Sequence, residues 1–180
     1  MIKFQAMVLY LRDYETFPVK VCLEAEPGSF IIDYDVIKGV SQVKVDLIIQ
    51  KSDEEYFCHG VVRAKAELEC VRCLDKFESD MKFKTDFIIC SEAYHDQLKE
   101  EAEDDEDYVF CYGDEIKADI KETIRQAIIL AAPMMPLCSE NCAGLCPHCG
   151  NNRNHQDCQC KKEVFDERWR GLKDLQQEDN

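Results

Sequence analysis

The sequence lacks the features of a membrane or secreted protein. It contains no run of about eighteen apolar residues, the length that a helix needs to span a bilayer. Residues 1–8 have neither a long apolar core nor a small-residue cleavage site, so we expect no signal peptide. We therefore predict a cytoplasmic protein without a membrane partner, in a compartment where thiols stay reduced.

Basic residues are outnumbered by acidic ones, and this limits the partners that the whole surface can attract. The chain has 22 lysines and arginines against 37 aspartates and glutamates, which gives a net charge of −15. Non-specific binding to phosphate backbones needs a basic surface, so this balance argues against it. We expect either a basic partner or a nucleic-acid contact confined to a local basic patch, although the charge can also serve solubility alone.

The common arrangements of catalytic residues are missing as well. The sequence shows no Ser-His-Asp arrangement, no glycine-rich phosphate loop and no paired-carboxylate motif. We therefore predict that the protein is not an enzyme and has no small-molecule substrate.

Cysteine, by contrast, is abundant, with 12 residues in the chain. Eight of them have spacings that fit two zinc sites with four cysteine ligands each: Cys70, Cys73, Cys138, Cys142, Cys146, Cys149, Cys158 and Cys160. Two residues between a pair of cysteines let both sulfurs reach one ion from a tight turn. Disulfides would need an oxidising compartment. The four isolated cysteines, Cys22, Cys58, Cys90 and Cys111, are predicted to be small buried hydrophobes.

The local spacing suggests how the eight thiols divide. Cys146 and Cys149 resemble a zinc knuckle, in which Gly150 permits a left-handed turn after the second cysteine. Cys158 and Cys160 can close the same site after eight intervening residues. Because four protein sulfurs would leave no open position on the ion, this zinc is predicted to be structural.

The remaining four thiols, Cys70, Cys73, Cys138 and Cys142, would then hold a second structural zinc. This ion would join two segments that are distant in the sequence. In an alternative partition, Cys138, Cys142, Cys146 and Cys149 share one ion. His148 and His155 are candidate substitute ligands, although thiolates are in excess.

Alternating apolar and polar residues predict strands in the N-terminal part of the chain. The pattern is clear in residues 43–50, 58–70 and 77–89, and weaker in residues 4–11 and 19–24. Cys70 and Cys73 are predicted at a hairpin turn between two long antiparallel strands. The expected fold class is α+β: an antiparallel β-rich domain with one long packing helix and a small C-terminal zinc knuckle.

Three regions are expected along the chain. Residues 1–136 form the β-rich body, with an acidic loop at 92–107 and a helix at 114–132, where isoleucines and alanines recur at helical spacing. Residues 137–161 form the cysteine-rich zinc-binding module. Residues 162–180 form an amphipathic tail helix that places Phe165, Trp169 and Leu172 on one face.

Six basic residues lie on or near the outward face of the predicted hairpin and are candidate contacts to RNA or another partner. They are Arg63, Lys65, Arg72, Lys76, Lys82 and Lys84. Strand alternation places most of them opposite the apolar face that carries Phe77, Met81 and Phe83. The alternative is that they only pair with acidic residues across the strands.

Three segments together resemble the YceD family, the large ribosomal RNA subunit accumulation proteins of bacteria and chloroplasts. They read ECVRCL at 69–74, AIILAAPMMP at 127–136 and LCSENCAGLCPHCG at 137–150. The resemblance covers residues 40–160. Members with this tail usually continue Gly-x-Asn-Leu-Asn, whereas Arg153 replaces the leucine here. Some members lack the last four cysteines, which suggests that the zinc site of Cys146, Cys149, Cys158 and Cys160 is an accessory to the shared function.

The resemblance implies a non-enzymatic role in the accumulation or processing of large-subunit (23S) ribosomal RNA and in ribosome assembly. The partner would be a ribosomal RNA precursor or a basic ribosomal protein. Two other hypotheses come from the residues themselves. The chain can be a zinc-stabilised interaction module with an unrelated partner, or a thiol redox protein that uses Cys70 and Cys73, with Arg72 lowering a thiolate pKa.

Overall fold

The computed structural model describes residues 7–25, 28–32, 34, 36–98, 108–113, 116–156 and 158–160. Seven of its strands form one sheet in the spatial order β1-β7-β6-β5-β4-β3-β2. Their bounds are β1 Val8–Tyr10, β2 Val19–Glu24, β3 Ile37–Ser52, β4 Glu55–Glu69, β5 Lys76–Ser91, β6 Tyr108–Tyr112 and β7 Lys117–Asp119. A short 3₁₀ helix follows β1 at Leu11–Asp13, and two α-helices are described, α1 Glu92–Leu98 and α2 Lys121–Ala131.

Three long strands, β3, β4 and β5, form the centre of the sheet as an antiparallel meander. The pairing of β4 with β5 extends from Tyr56 and Ile89 to Glu69 and Lys76. The predicted hairpin with Cys70 and Cys73 in its turn is therefore confirmed. Strand alternation is confirmed too, because Val43, Val45, Leu47 and Ile49 are all buried in the core.

The buried face of the sheet packs against α2 and against Ile120, the residue before it. Ile120, Ile124 and Ile128 are fully buried in the same core as the central strands. Gly60 of β4 allows strand β3 to come unusually close, because a Cβ atom there would lie 2.3 Å from the backbone oxygen of Asp46. Irregular pairing of β3 with β4 near Ile37 and Val40 adds to the curl of the sheet.

The predicted fold class, α+β with one long packing helix, is wrong. The structure is a strand-rich curled sheet, and the segment expected as helix 114–132 contains β7 followed by α2, which has 11 residues. Ile116 has a positive φ of 49° in a turn, and Lys117–Asp119 pairs with Val8–Tyr10 of β1. Pairing with a distant strand has therefore overridden the helical spacing of Ile116 and Ile120.

The first seven residues of the predicted acidic loop 92–107 form α1, and β5 and β6 on either side of this segment pair in parallel. Residues 99–107 lie outside the described residues, as do residues 162–180, where the tail helix was predicted. Within the described part of the chain, no helix has the length and apolar character needed to cross a bilayer.

Candidate metal centres

Four thiols meet at the end of the β4–β5 hairpin, and we call them the hairpin cluster: Cys70, Cys73, Cys138 and Cys142. Their sulfur atoms all lie within 4.8 Å of one another. The Sγ atoms of Cys70 and Cys142 are 3.7 Å apart, and those of Cys73 and Cys138 are 3.6 Å apart. Zinc–sulfur bonds of about 2.3 Å in a tetrahedron give edges of about 3.8 Å. The cluster therefore has the dimensions of a zinc site.

Backbone contacts hold the two halves of the hairpin cluster together. The turn is closed by the amide of Cys70, which donates to the carbonyl of Asp75 at 2.9 Å. The amide of Val71 donates to the carbonyl of Pro136 at 3.0 Å, and this anchors the chain that leaves α2. Cys70 and Cys142 are 72 positions apart in the sequence. An ion here would thus cross-link the sheet to the segment after α2.

Hydrogen bonds favour the thiolate form at two of the four cysteines of this cluster, whereas burial raises the pKa of Cys73. Burial raises the pKa of Cys70, but the backbone N–H groups of Cys138, Cys73 and Arg72 outweigh it, and the pKa falls to about 6. The pKa of Cys142 is lowered first of all by a side-chain hydrogen bond from Asn154. Because metal ligands must be deprotonated, these donors prepare the site for a cation.

The second set, which we call the knuckle cluster, contains Cys146, Cys149, Cys158 and Cys160. Its four sulfur atoms also lie within 4.8 Å of one another. Gly150 adopts a left-handed φ of 75°, and its amide donates to the carbonyl of Cys146 at 2.9 Å. Hydrogen bonds from the amides of Cys149 and His148 lower the pKa of Cys146 to about 6.

The structure groups the thiols as the first predicted partition does, and not as the alternative in which Cys138, Cys142, Cys146 and Cys149 share one ion. The two histidines considered as substitute ligands lie outside both groups. His148 is exposed, and Nε2 of His155 lies 3.1 Å from a carboxylate oxygen of Asp75.

Two asparagines that sequence reasoning did not select connect the clusters. Nδ2 of Asn154 donates to Sγ of Cys142 at 3.3 Å, although Asn154 lies in the knuckle segment. Nδ2 of Asn152 donates to Asp75 in the hairpin turn at 2.6 Å, and its Oδ1 accepts from Nδ2 of Asn154 at 2.9 Å. The Asn-x-Asn spacing after Gly150 was the available signal, since Asn152 and Asn154 are the asparagines of the family pattern.

A close backbone approach also holds the knuckle segment against the hairpin turn. The amide of Leu145 donates to the carbonyl of Arg72 at 2.9 Å. Gly144, with φ at 69°, lies beside this contact, and a Cβ atom there would be 3.1 Å from the same oxygen. The knuckle segment therefore packs on the turn that contains Cys70 and Cys73.

The arrangement of the cysteines in both clusters suits a structural metal ion better than a redox-active thiol pair. All four positions around each centre are cysteine sulfurs, and Cys70 and Cys73 are buried with exposures of 0% and 3%. A redox partner needs an accessible sulfur, so this burial disfavours the hypothesis of a thiol redox protein. Of the four isolated cysteines, Cys58 and Cys90 are buried as expected, whereas Cys22 is exposed on β2.

The six candidate contact residues divide between two places. Arg63, Lys65, Lys82 and Lys84 are exposed on the outer face of β4 and β5. Arg72 lies in the hairpin turn, where its Nη1 donates to the carbonyl of Cys142 at 3.2 Å. Exposed Lys76 also lies near this end of the hairpin, and its Nζ contacts Glu67 at 3.0 Å.

Cross-strand pairing accounts for only some of these charges. Lys65 approaches Asp80 at 4.0 Å, and Arg63 pairs with Asp46 of β3. Among the described residues, Lys82 and Lys84 make no ion pair. No contact to RNA or to a partner follows from this arrangement by itself, so these residues stay candidates.

Comparison with known proteins gives a consistent result. A family model described as Large ribosomal RNA subunit accumulation protein YceD matches residues 58–176. The chain is 28% identical over 153 residues to an uncharacterized protein of Mycobacterium tuberculosis, covering 83% of this chain and 69% of that protein. It is 27% identical over 158 residues to a chloroplastic large ribosomal RNA subunit accumulation protein of Arabidopsis thaliana, YCED homolog 1, covering 76% and 49%. No solved structure gives a significant match.

Proposed function

The chain belongs to the YceD family, and we propose that it is a non-enzymatic factor in large-subunit (23S) ribosomal RNA accumulation and ribosome assembly. The name of the Arabidopsis relative refers to the same RNA. The observation that carries the proposal is the match over residues 58–176, because this range contains both cysteine clusters and the hairpin that presents one of them.

Each cluster is proposed to hold one structural zinc ion. Thiolate ligands select zinc among the common divalent ions, and the sulfur separations of 3.6 and 3.7 Å match a tetrahedral zinc site. The hairpin-cluster ion would fix the segment after α2 to the turn between β4 and β5. The ion in the knuckle cluster would order a segment that has little core of its own.

We propose that neither ion is catalytic, because of the ligands that each cluster supplies. A catalytic zinc keeps one position open for water or substrate, whereas each cluster supplies four protein sulfurs. We therefore assign the ions to shaping a surface rather than to a reaction. The partner of that surface would be a ribosomal RNA precursor or a basic ribosomal protein.

A cytoplasmic location is part of the same proposal. All twelve cysteines are free thiols in the structure, and eight of them are grouped as metal ligands. This use of cysteine is typical of a reducing compartment. A ribosome-assembly factor would also meet its RNA and protein partners there.

The test is to delete the gene in its native host and to follow the protein and the RNA together. We expect 23S ribosomal RNA to fall relative to 16S ribosomal RNA, with rescue by the wild-type chain. In a lysate on a sucrose gradient, the tagged protein should co-sediment with large-subunit precursors. Unchanged 23S levels together with sedimentation away from all ribosomal particles would contradict the proposal. They would favour an interaction module with an unrelated partner.

A further inference from the structure

Five cations lie close together on the outer face of the central strands, and we call them the basic island: Lys44, Arg63, Lys65, Lys82 and Lys84. Lys44, Arg63 and Lys82 are direct neighbours across β3, β4 and β5, because Lys44 pairs with Arg63 and Arg63 pairs with Lys82. Directly opposite residues have Cβ atoms about 5 Å apart, so these three side chains form one continuous row.

The other two members lie next to this row. Lys65 is two residues after Arg63 on β4, and Lys84 is two residues after Lys82 on β5. Side chains two positions apart on a strand share a face. Lys44, Arg63, Lys65 and Lys82 also line an open depression of about 350 Å³ over the same strands.

Nearby acidic groups neutralise only part of the basic island. Lys44 contacts Glu24 at 2.9 Å, and Arg63 pairs with Asp46. Lys65 lies 4.0 Å from Asp80, at the outer limit of an ion pair. Lys82 and Lys84 have no ion-pair partner in the described part of the chain. A local excess of positive charge therefore remains on a protein whose net charge is −15.

We propose that the basic island binds the phosphate backbone of ribosomal RNA, an inference that rests on the proposed function and names its contact surface. Acidic residues elsewhere on the chain repel RNA phosphates, but salt screens this repulsion beyond a Debye length of about 8 Å at physiological ionic strength. A compact group of cations can thus bind phosphates even though the whole surface cannot.

The lining of the depression also indicates how RNA is read. Its residues include no aromatic side chain on which a base could stack. Lysine and arginine contacts to phosphates position a protein on RNA but carry no sequence information. The basic island therefore recognises the shape and charge of RNA, and any preference for an RNA sequence must come from other contacts.

The edge position of β5 supplies a competing explanation. The pairing of β5 with β6 is limited to the end of β5, from Ile88 to Ser91. Before Ile88, β5 therefore has no second strand neighbour within the described residues. Lysines on such an edge also protect a sheet against pairing with another chain. Lys82 and Lys84 would then serve solubility, and the experiment must separate this role from RNA binding.

The experiment measures binding of the purified, metal-loaded full chain to a transcribed fragment of 23S ribosomal RNA precursor over a series of salt concentrations. The test variant is Lys82→Glu with Lys84→Glu, which keeps the edge charged but opposes phosphates. The control is Lys117→Glu with Lys121→Glu, two exposed lysines on β7 and α2. The control makes the same change in net charge outside the basic island.

We expect the wild-type chain to bind with a negative slope of log affinity against log salt, of roughly 3 to 4 for about five phosphate contacts. The Lys82/Lys84 variant should bind at least tenfold more weakly, with the slope reduced by about one to two, while the control changes affinity less than threefold. Circular dichroism and retained metal would show that both variants are folded.

Two results would overturn the inference. One is equal binding by the Lys82/Lys84 variant and the control. The other is no RNA binding by the wild-type chain at low salt. In that case, self-association of a variant with both Lys82→Ala and Lys84→Ala would show that the lysines protect the sheet edge. Co-sedimentation of the wild-type chain with large-subunit precursors in either case would preserve the proposed function. In the second case it would also favour a basic ribosomal protein as the partner.

Discussion

Asn154 donates a hydrogen bond from its side-chain amide to the sulfur of Cys142, at a distance of 3.3 Å. The oxygen of the same side chain accepts from the amide of Ala143 at 2.7 Å, so its orientation is fixed from both ends. Asn154 belongs to the segment of the knuckle cluster, whereas Cys142 belongs to the hairpin cluster. The contact is therefore a direct link between the two proposed metal centres.

Replacing Asn154 with alanine should weaken metal binding at the hairpin cluster, although Asn154 is not a ligand. The change removes a donor that stabilises the thiolate of Cys142, and donors of this type typically contribute a factor of 10 to 100 in metal affinity. We expect a competing chelator to remove one of two zinc ions at a lower concentration from Asn154→Ala than from the wild-type chain.

Asn151→Ala is the matched control for this measurement. Asn151 is exposed in the same turn and contributes its backbone oxygen, which accepts from the amide of Cys146 at 2.8 Å. Alanine preserves that contact, so chelator resistance should not change. Equal resistance in the Asn154 variant and the wild-type chain would show that this hydrogen bond does not stabilise the ion of the hairpin cluster.

The purified chain is predicted to contain about two zinc ions, each bound only by sulfur. Each proposed site has four thiols whose sulfur atoms lie within 4.8 Å of one another. Elemental analysis of untagged protein should give about two zinc ions per chain, and X-ray absorption should give zinc–sulfur distances of about 2.3 Å without a nitrogen shell. A zinc content near zero with all thiols freely titratable would contradict this prediction.

The two clusters should contribute unequally to the stability of the body. Cys70→Ser removes a buried ligand from a centre that joins the β4–β5 turn to the segment after α2. Since metal-binding free energy is also folding free energy, we expect the melting temperature to fall by roughly 10 °C.

Cys158→Ser removes a ligand from the knuckle cluster, whose thiols all lie after α2. It should lower the main thermal transition by less than half as much and release one zinc ion. Thermal melts followed by far-ultraviolet circular dichroism compare the two variants directly. Equal losses in the main transition would mean that the knuckle segment stabilises the sheet as strongly as the hairpin cluster does.

The central strands were predictable because their sequence alternates with the period of a strand. Val43, Val45, Leu47 and Ile49 point to the core, and a period of two is a direct consequence of strand geometry. The eight candidate ligands were also predictable, since short spacings between cysteines let two sulfurs reach one ion. Their division between two clusters was not, because Cys138, Cys142, Cys146 and Cys149 could also share one ion by spacing alone.

The start of α2 was not predictable from periodicity, because Ile116 and Ile120 fit a helical stripe while β7 lies between them. Only the pairing of β7 with β1, more than a hundred residues away, selects the strand. The same limit applies to the contact of Asn152 with Asp75, which joins positions 77 residues apart. Local sequence therefore does not show that β7 meets β1 or that Asn152 meets Asp75, because each contact joins distant positions.

Strands β3 and β4 approach each other closely at Gly60, and we expect a side chain there to destabilise the sheet. A Cβ atom at this position would lie 2.3 Å from the backbone oxygen of Asp46 and 2.6 Å from Cδ2 of Leu47. Gly60→Ala must therefore separate two strands at the centre of the sheet, and overpacking of this kind typically costs about 1–3 kcal/mol. Denaturant unfolding should show a lower midpoint with an unchanged slope.

Gly39→Ala, on β3, is the control, because a Cβ atom there would meet nothing within 4 Å. Its free energy of unfolding should stay within about 0.5 kcal/mol of the wild-type value. If the Gly60 variant is as stable as the Gly39 variant, the strands can separate at little cost.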